Sequence, residues 1–456
     1  MRVVRGQVVD SKILPEGEVG NGVTPHKVGV TTETTSVEET PPVVVDMERN
    51  YADFLTAYRE FTKGHEASAK VHMWTGISIL AAALERKVWL DEGYFKVYPN
   101  LYTFVIGAPG LVKKSTSTAI GVDLLRELST MSIMAERVTA AALIEGMHRS
   151  GSKFVHQGLD VRQSSVFCYA SELNVFLKEV FGSTVELLTT FYDCQPNDSS
   201  KPWVYETKGQ GAIKIFGPCL NMLGCSTPAW LAESVPVSQM AGGFASRVIY
   251  VVENEIPEVF VAWPEMDAGR NSMRSKILHD LRAVHALSGP ISFTAEAKKL
   301  YADWYEAHMR SLAKSQYNPN FAGYYGRKGT IVKKLAIVAS VSSGNSLVAG
   351  PEHITQAIAW LTGVEKTMMS AFGMAGRSDS AQLLADVLRL IQKKQQIRSG
   401  DLMEAFFRDT DGAGLDRVLG DLTRMGLVRM GSDVDGVAYQ ITSRGQLLDL
   451  NELKLS

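Results

Sequence analysis

The stretch VIGAPGLVKKSTSTAIG, residues 105–121, sets Gly107 and Gly110 ahead of Lys113, Lys114, Ser115 and Thr116. These residue types in this order suit the binding of nucleotide phosphates. Glycines let successive backbone N–H groups turn onto phosphate oxygens, a lysine reaches the β- and γ-phosphates, and a hydroxyl, here that of Ser115, ligates Mg²⁺. A helix starting at the lysine adds its N-terminal dipole. Against the pattern G-x-x-x-x-G-K-[ST], the stretch carries one extra residue between Gly107 and the Lys114-Ser115 pair, with Lys113 in the second-glycine position. A second cation is compatible with a triphosphate, since unit charges ~4 Å apart attract by about 4 kcal/mol at an effective dielectric of about 20, before desolvation. Lys113 and Lys114 are both candidates for the phosphate contact. The alternative is a glycine turn opening an ordinary helix.

Hydrolysis needs further groups. A carboxylate at the end of a neighbouring strand polarises the attacking water, and Glu172 stands at the end of VFCYASEL. The residue before it, where an aspartate would hold the Mg²⁺ shell, is Ser171. In GCSTP, Ser226 and Thr227 are placed to sense the γ-phosphate or the water. In GGFASRVIYVV, Arg247 follows a glycine pair and opens an apolar run, which suits an arginine finger offered to a neighbouring subunit's nucleotide. A structural salt bridge is its competing role, as a surface charge or helix cap is for Glu172. WVYETKGQGAIKI has strand-like flanks around Lys208, which places that lysine at a hairpin tip able to grip single-stranded phosphates; the alternative is a plain surface hairpin.

The elements that must hold these groups are also legible. YTFVIGAPG has the form of a buried parallel strand feeding a loop, and STAIGVDLLREL continues as a helix. SSVFCYASEL, GPCLNMLGCSTP and RVIYVVE are further buried runs among helical stretches, which argues for a parallel α/β core. The expected fold class is therefore α/β: a P-loop NTPase core with N-terminal helices over 47–258, a helical lid over 259–375, and a C-terminal winged helix over 376–456. The last assignment rests on three helices followed by two β-like runs. Its acids Asp401, Asp411, Asp416 and Asp421 balance its basic residues, so both DNA and protein remain open as its partner. Residues 1–46 contain no Phe, Trp or Tyr and read as a disordered tail.

Composition limits the classes available. At 456 residues the chain exceeds what one core usually organises, and its formal net charge of −2 provides no overall field toward nucleic acid or anionic membrane. Any DNA contact must be local. Cys168, Cys194, Cys219 and Cys225 lack the spacing of a zinc site and read as reduced, buried thiols. The longest apolar run, GISILAAAL at 76–84, is far short of the roughly 20 residues that span a bilayer, so the expectation is a soluble cytoplasmic protein with no membrane partner.

The series GAPGLVKKST, YASEL, TKGQGAIKIFGPCLNMLGCSTPAWL, GGFASRVIYVV and FAGYYGRKGTIVKKLA, over roughly residues 50–375, resembles the P-loop (AAA+/RecA-like) ATPase domain of phage and mobile-element replication proteins. More distantly, it is similar to minichromosome-maintenance helicases. The resemblance implies an ATP- and Mg²⁺-dependent DNA motor, a helicase-like ATPase working as a hexameric ring on single-stranded or forked DNA, with priming left to a separate primase. It puts Lys208 on a DNA-contacting hairpin, Thr227 on the sensor, Arg247 on the finger and Arg327 of YYGRKG on the lid. A second reading is an ATP-gated helicase loader or adaptor with little turnover, which the lengthened loop and Ser171 favour. A third, a transcription-regulating protein with a decayed loop, leaves the series of motor motifs without a purpose.

Overall fold

The computed structural model describes residues 47–447 apart from 135, 137, 174–184, 208–210, 235–242, 254–265, 315–320, 376–378, 408 and 434–435. The tail expected over 1–46 lies outside the described residues.

The apolar run YTFVIG forms the strand Tyr102–Gly107, buried at every residue. A strand without a polar face needs cover on both faces and partners at both edges. Val248–Glu253 pairs with it in parallel on one side, Tyr102 opposite Val248 and Gly107 opposite Glu253. Pro218–Ser226 pairs in parallel on the other, with Ile106 opposite Ser226. Beyond it lie Leu159–Ala170, with Ala170 opposite Gly224, and the short edge strand Ile133–Met134, with Met134 opposite Cys168. The carboxyl ends of all five strands reach one edge of the sheet. From its central strand the chain crosses to the far edge at Ile133, works back inward, and then passes to the other side at Val248. Such a reversal of strand order opens a crevice at the carboxyl ends, where ligands bind in open parallel sheets.

Helices cover the sheet. Ala69–Leu84 is apolar around its circumference and nearly all buried, packing against Lys114–Arg126 and Ala268–Ala286. Its N-cap is Ser68, whose hydroxyl accepts the Val71 N–H at 3.3 Å. The later helices Ala268–Ala286, Ala322–Ser342 and Pro351–Ala375 contribute Leu281, Ile337 and Leu361 to the same buried cluster as Phe104 and Leu223. A smaller sheet ties Val88–Asp91 in parallel to Gly289–Phe293.

Beyond Asp379 the described chain forms a second cluster, centred on Val387, Leu415, Leu422 and Ile441, that shares no residue with the first. It is built from the helices Asp379–Lys394, Ser399–Phe406 and Gly412–Arg424 and a three-stranded antiparallel sheet. In that sheet Gly436–Ile441 lies between Gln396–Arg398 and Val428–Asp433. No described helix is long and apolar enough to cross a membrane.

One buried group carries a pH consequence. His72, in the helix Ala69–Leu84, is 3% exposed, and neither ring nitrogen has a hydrogen-bond partner among the described residues. Burial, with a smaller contribution from the ring of His65, pushes it down to about 4 from the ordinary 6.5. The unfolded chain therefore binds this proton first, and stability falls as pH drops from about 6.5 toward about 4. Urea unfolding followed across that range should show this slope in the wild-type protein and a flatter one in His72→Leu.

Candidate functional site

The candidate phosphate loop begins where the strand Tyr102–Gly107 ends. A Cβ at Gly107 would lie 2.8 Å from the Glu253 carbonyl oxygen and 3.0 Å from Val112 Cγ2, so only glycine lets the loop fold this close to the neighbouring strand. Gly110 has φ +73°. Lys113 caps the helix Lys114–Arg126 with φ +50° and ψ +34°, a left-handed conformation. The position where the motif calls for glycine thus has the backbone glycine favours, occupied by a lysine at a cost of about 1 kcal/mol.

The two lysines separate. Lys113 Nζ points to Glu66 Oε2 at 3.3 Å, with both side chains substantially exposed. Lys114 is buried, and its Nζ donates to the carbonyl oxygens of Gly107 at 2.7 Å and Ala108 at 3.1 Å. Its pKa is lowered by desolvation, with the neighbouring Cys225 acting in the opposite direction. Lys114 is the cation inside the loop. Ser115 and Thr116 follow on the exposed first turn, where backbone N–H groups lack intrahelical partners.

A buried brace fixes this turn to the sheet. Thr118 Oγ1 lies 3.0 Å from the Tyr169 hydroxyl and 3.5 Å from Cys225 Sγ, and the Tyr169 hydroxyl donates to the Ser115 carbonyl at 3.2 Å. The helix start is thereby bonded to two neighbouring strands. Burial pushes Tyr169 up to about 12 and Cys225 up to about 11, so both stay neutral and act as braces. All four cysteines are free and buried.

A cleft of about 480 Å³ opens over the loop. Its lining joins Gly110, Lys113, Lys114, Ser115 and Thr116 to the ends of two other strands: Ser171 with Glu172, and Ser226 with Thr227. Residues that the sequence spreads over more than a hundred positions thus share one cavity. Glu172 is exposed to it. Thr227 Oγ1 accepts the Trp230 N–H at 3.3 Å, capping the helix Pro228–Ser234. Ser171 is not alone: its hydroxyl and, at 3.4 Å, its N–H both donate to the carboxylate of Glu136. Sequence reasoning missed Glu136, because it follows a two-residue strand and lies 35 positions before Ser171; only the sheet register brings them together. The available donors are hydroxyl and carboxylate oxygens, the set that suits Mg²⁺. Among the described residues, no three His, Cys, Asp or Glu gather as a resident metal site. That is compatible with a cation that arrives with phosphates and keeps most of its waters.

Arg247 and Arg327 lie elsewhere. Arg247 ends a short 3₁₀ turn just before Val248, which pairs with Tyr102 at the amino end of the central strand. Five residue steps at roughly 3.3 Å each set Val248, the residue after it, about 16 Å along the strand direction from the level of Gly107. Arg247 is 4% exposed, its Nε donates to Asp193 Oδ1 at 3.0 Å, and its Nη2 pairs with Asp193 Oδ2. Arg327 donates from Nε to Ser246 Oγ at 3.1 Å and lies 3.9 Å from Asp193 Oδ1. Its pKa is lowered first by desolvation and then by Arg247, against the pull of Asp193. Both arginines converge on one carboxylate that sequence reading did not single out. Lys208 lies outside the described residues; the strands flanking it, Pro202–Thr207 and Gly211–Phe216, pair antiparallel.

No family model matches the sequence, and no curated protein matches it significantly. Among solved structures, the chain is similar to the crystal structure of a full-length MCM homolog from Methanopyrus kandleri, at 13% identity and a TM-score of 0.37. The match covers 69% of this chain and 59% of that protein's length.

Lys113→Gly tests the loop geometry. Restoring glycine at a left-handed position should stabilise the protein by up to about 1 kcal/mol, read as a raised melting temperature. The pair with Glu66 is too exposed to offset the gain.

Proposed function

We propose that the protein is an ATP-hydrolysing DNA motor of the replicative helicase kind, in which each ATP is sandwiched between neighbouring subunits of a hexameric ring. One observation carries this reading: a single cleft gathers the phosphate loop with Glu172 and Thr227 from the ends of two neighbouring strands. Arg247 and Arg327 are held together at the amino end of the sheet by Asp193 and Ser246, and neither is among the described residues that line their own subunit's cleft. Phosphoryl transfer relies on positioning and on neutralising charge at the γ-phosphate, and an arginine supplied from a second subunit is a recurrent source of that charge.

In this reading Lys114 and the loop amides would hold the β- and γ-phosphates, and Ser115 would hold Mg²⁺, which when bound supplies charge neutralisation at the phosphates. Glu172 accepts the proton of the attacking water, and Thr227 orients that water or the γ-phosphate. Arg247 and Arg327 of the adjacent subunit stabilise the charge that develops on the transferred group. Lys208 would couple this cycle to single-stranded or forked DNA, and the unit after Asp379, read as a winged helix, would contact DNA or a protein. The order of motifs fits replication of a phage or mobile element in a host cytoplasm, with a separate primase.

A second reading keeps ATP binding but little turnover, an ATP-gated loader or adaptor. The lysine at the left-handed position and Ser171 beside Glu172 favour it.

Steady-state ATP hydrolysis with and without single-stranded DNA separates the two. A motor shows DNA-stimulated turnover, whereas a loader binds ATP and barely hydrolyses it. Lys114→Ala is expected to abolish both nucleotide binding and turnover. Arg247→Ala should retain binding and lose about 10³–10⁵ in rate; a variant as fast as wild type would end the shared-site reading.

A further inference from the structure

The nucleotide site described above has a gap in its charge. At Ser171, next to Glu172, a hydroxyl stands where a second carboxylate would steady a divalent cation. Glu136, two residues past the end of the edge strand, bonds to that hydroxyl.

Glu136 arrives by register. Met134 lies opposite Cys168 on the edge strand, and Glu136 follows two residues beyond its carboxyl end, at the same edge as the phosphate loop. There the Glu136 carboxylate accepts both the hydroxyl and the N–H of Ser171. Its charge also reaches the interior below the cleft: it adds to the upward push that burial gives Tyr169 and Cys225, the latter a cleft-lining residue.

The direction of the hydrogen bond matters. A serine hydroxyl has one proton and two lone pairs. Once that proton is given to a carboxylate, only lone pairs face the cleft, and the oxygen is made more basic by its anionic partner. Serine and glutamate together then present a polarised oxygen with a full negative charge one side chain behind it. A brace serving only the fold has no need of an ionised acid at an exposed position, since a glutamine carbonyl accepts the same two donors.

We infer that Glu136 is a positioning residue for the divalent cation of a bound nucleoside triphosphate, supplying through the Ser171 hydroxyl the carboxylate charge that Ser171 itself lacks; this rests on the nucleotide-binding reading above.

The test is a titration of Mg²⁺ into the full-length protein with a fluorescent non-hydrolysable ATP analogue, repeated with Mn²⁺ and read by electron paramagnetic resonance. Glu136→Gln should raise the Mg²⁺ midpoint about 10- to 100-fold, the range for loss of an outer partner of a metal ligand. Analogue affinity in EDTA should stay unchanged. Adding Ser171→Asp to Glu136→Gln should return the midpoint toward wild type by moving the carboxylate one shell inward. Ser171→Ala, which cuts the same link from the other side, should reproduce the shift and replaces Glu136→Gln if that variant does not fold. An unmoved midpoint overturns the inference, and so does a shift that Ser171→Asp fails to reverse. If wild type binds no analogue, or Lys114→Ala binds it equally well, the nucleotide reading falls and this one with it. If only the glutamate variants behave as wild type, the nucleotide reading stands without Glu136.

Discussion

Parallel pairing of Tyr102–Gly107 on both edges is the constraint from which the chemistry follows. Because its neighbours run in the same direction, their carboxyl ends share one edge, and described residues that follow Gly107, Ala170 and Ser226 line one crevice. The phosphate loop then folds against the next strand so closely that Gly107 has no room for a side chain. Lys114 is held inside by two carbonyls of the loop, which keep a desolvated ammonium hydrogen-bonded. The brace of Thr118, Tyr169 and Cys225 extends the same logic downward, tying the start of the helix to the strands that carry Glu172 and Thr227. A shift in register would separate all of these groups at once.

The opposite edge of the sheet shows a complementary economy. Two arginines share Asp193, and Arg247 is nearly sealed from solvent by its bidentate contact. Removing a guanidinium from water requires a partner charge, and here the pair also fixes the direction of the side chain. Arg247, Arg327 and Asp193 thus form one ion cluster at the amino end of the sheet, and none of the three is among the described residues that line the cleft.

The lysine in the phosphate loop and the serine beside Glu172, the two departures from the expected motifs, have different physical settings. Lys113 is tolerated in place of glycine because a left-handed residue costs a lysine only about 1 kcal/mol and its side chain escapes toward Glu66. Ser171 is tolerated in place of an acid in a site where Glu136 lies within hydrogen-bonding distance. Each departure was visible in the sequence, but neither compensation was. Glu66 and Glu136 are ordinary acids in unremarkable contexts, and no spacing rule links them to the residues they meet.

Local signals carried far. Buried apolar runs marked the strands, and the strand-then-helix change around Gly107 to Ser115 marked the candidate phosphate loop, because buried parallel strands and helix starts impose their own residue types over a few positions. The same signals named Glu172 and Thr227, which the structure brings to one cleft with Lys114. Tertiary structure alone decided which lysine faces the loop, where the arginines sit, and which carboxylates partner Ser171 and Arg247. These depend on sheet register and strand order, which pair residues far apart in the chain. A one-dimensional pattern records what each residue prefers locally, and does not record whom it meets.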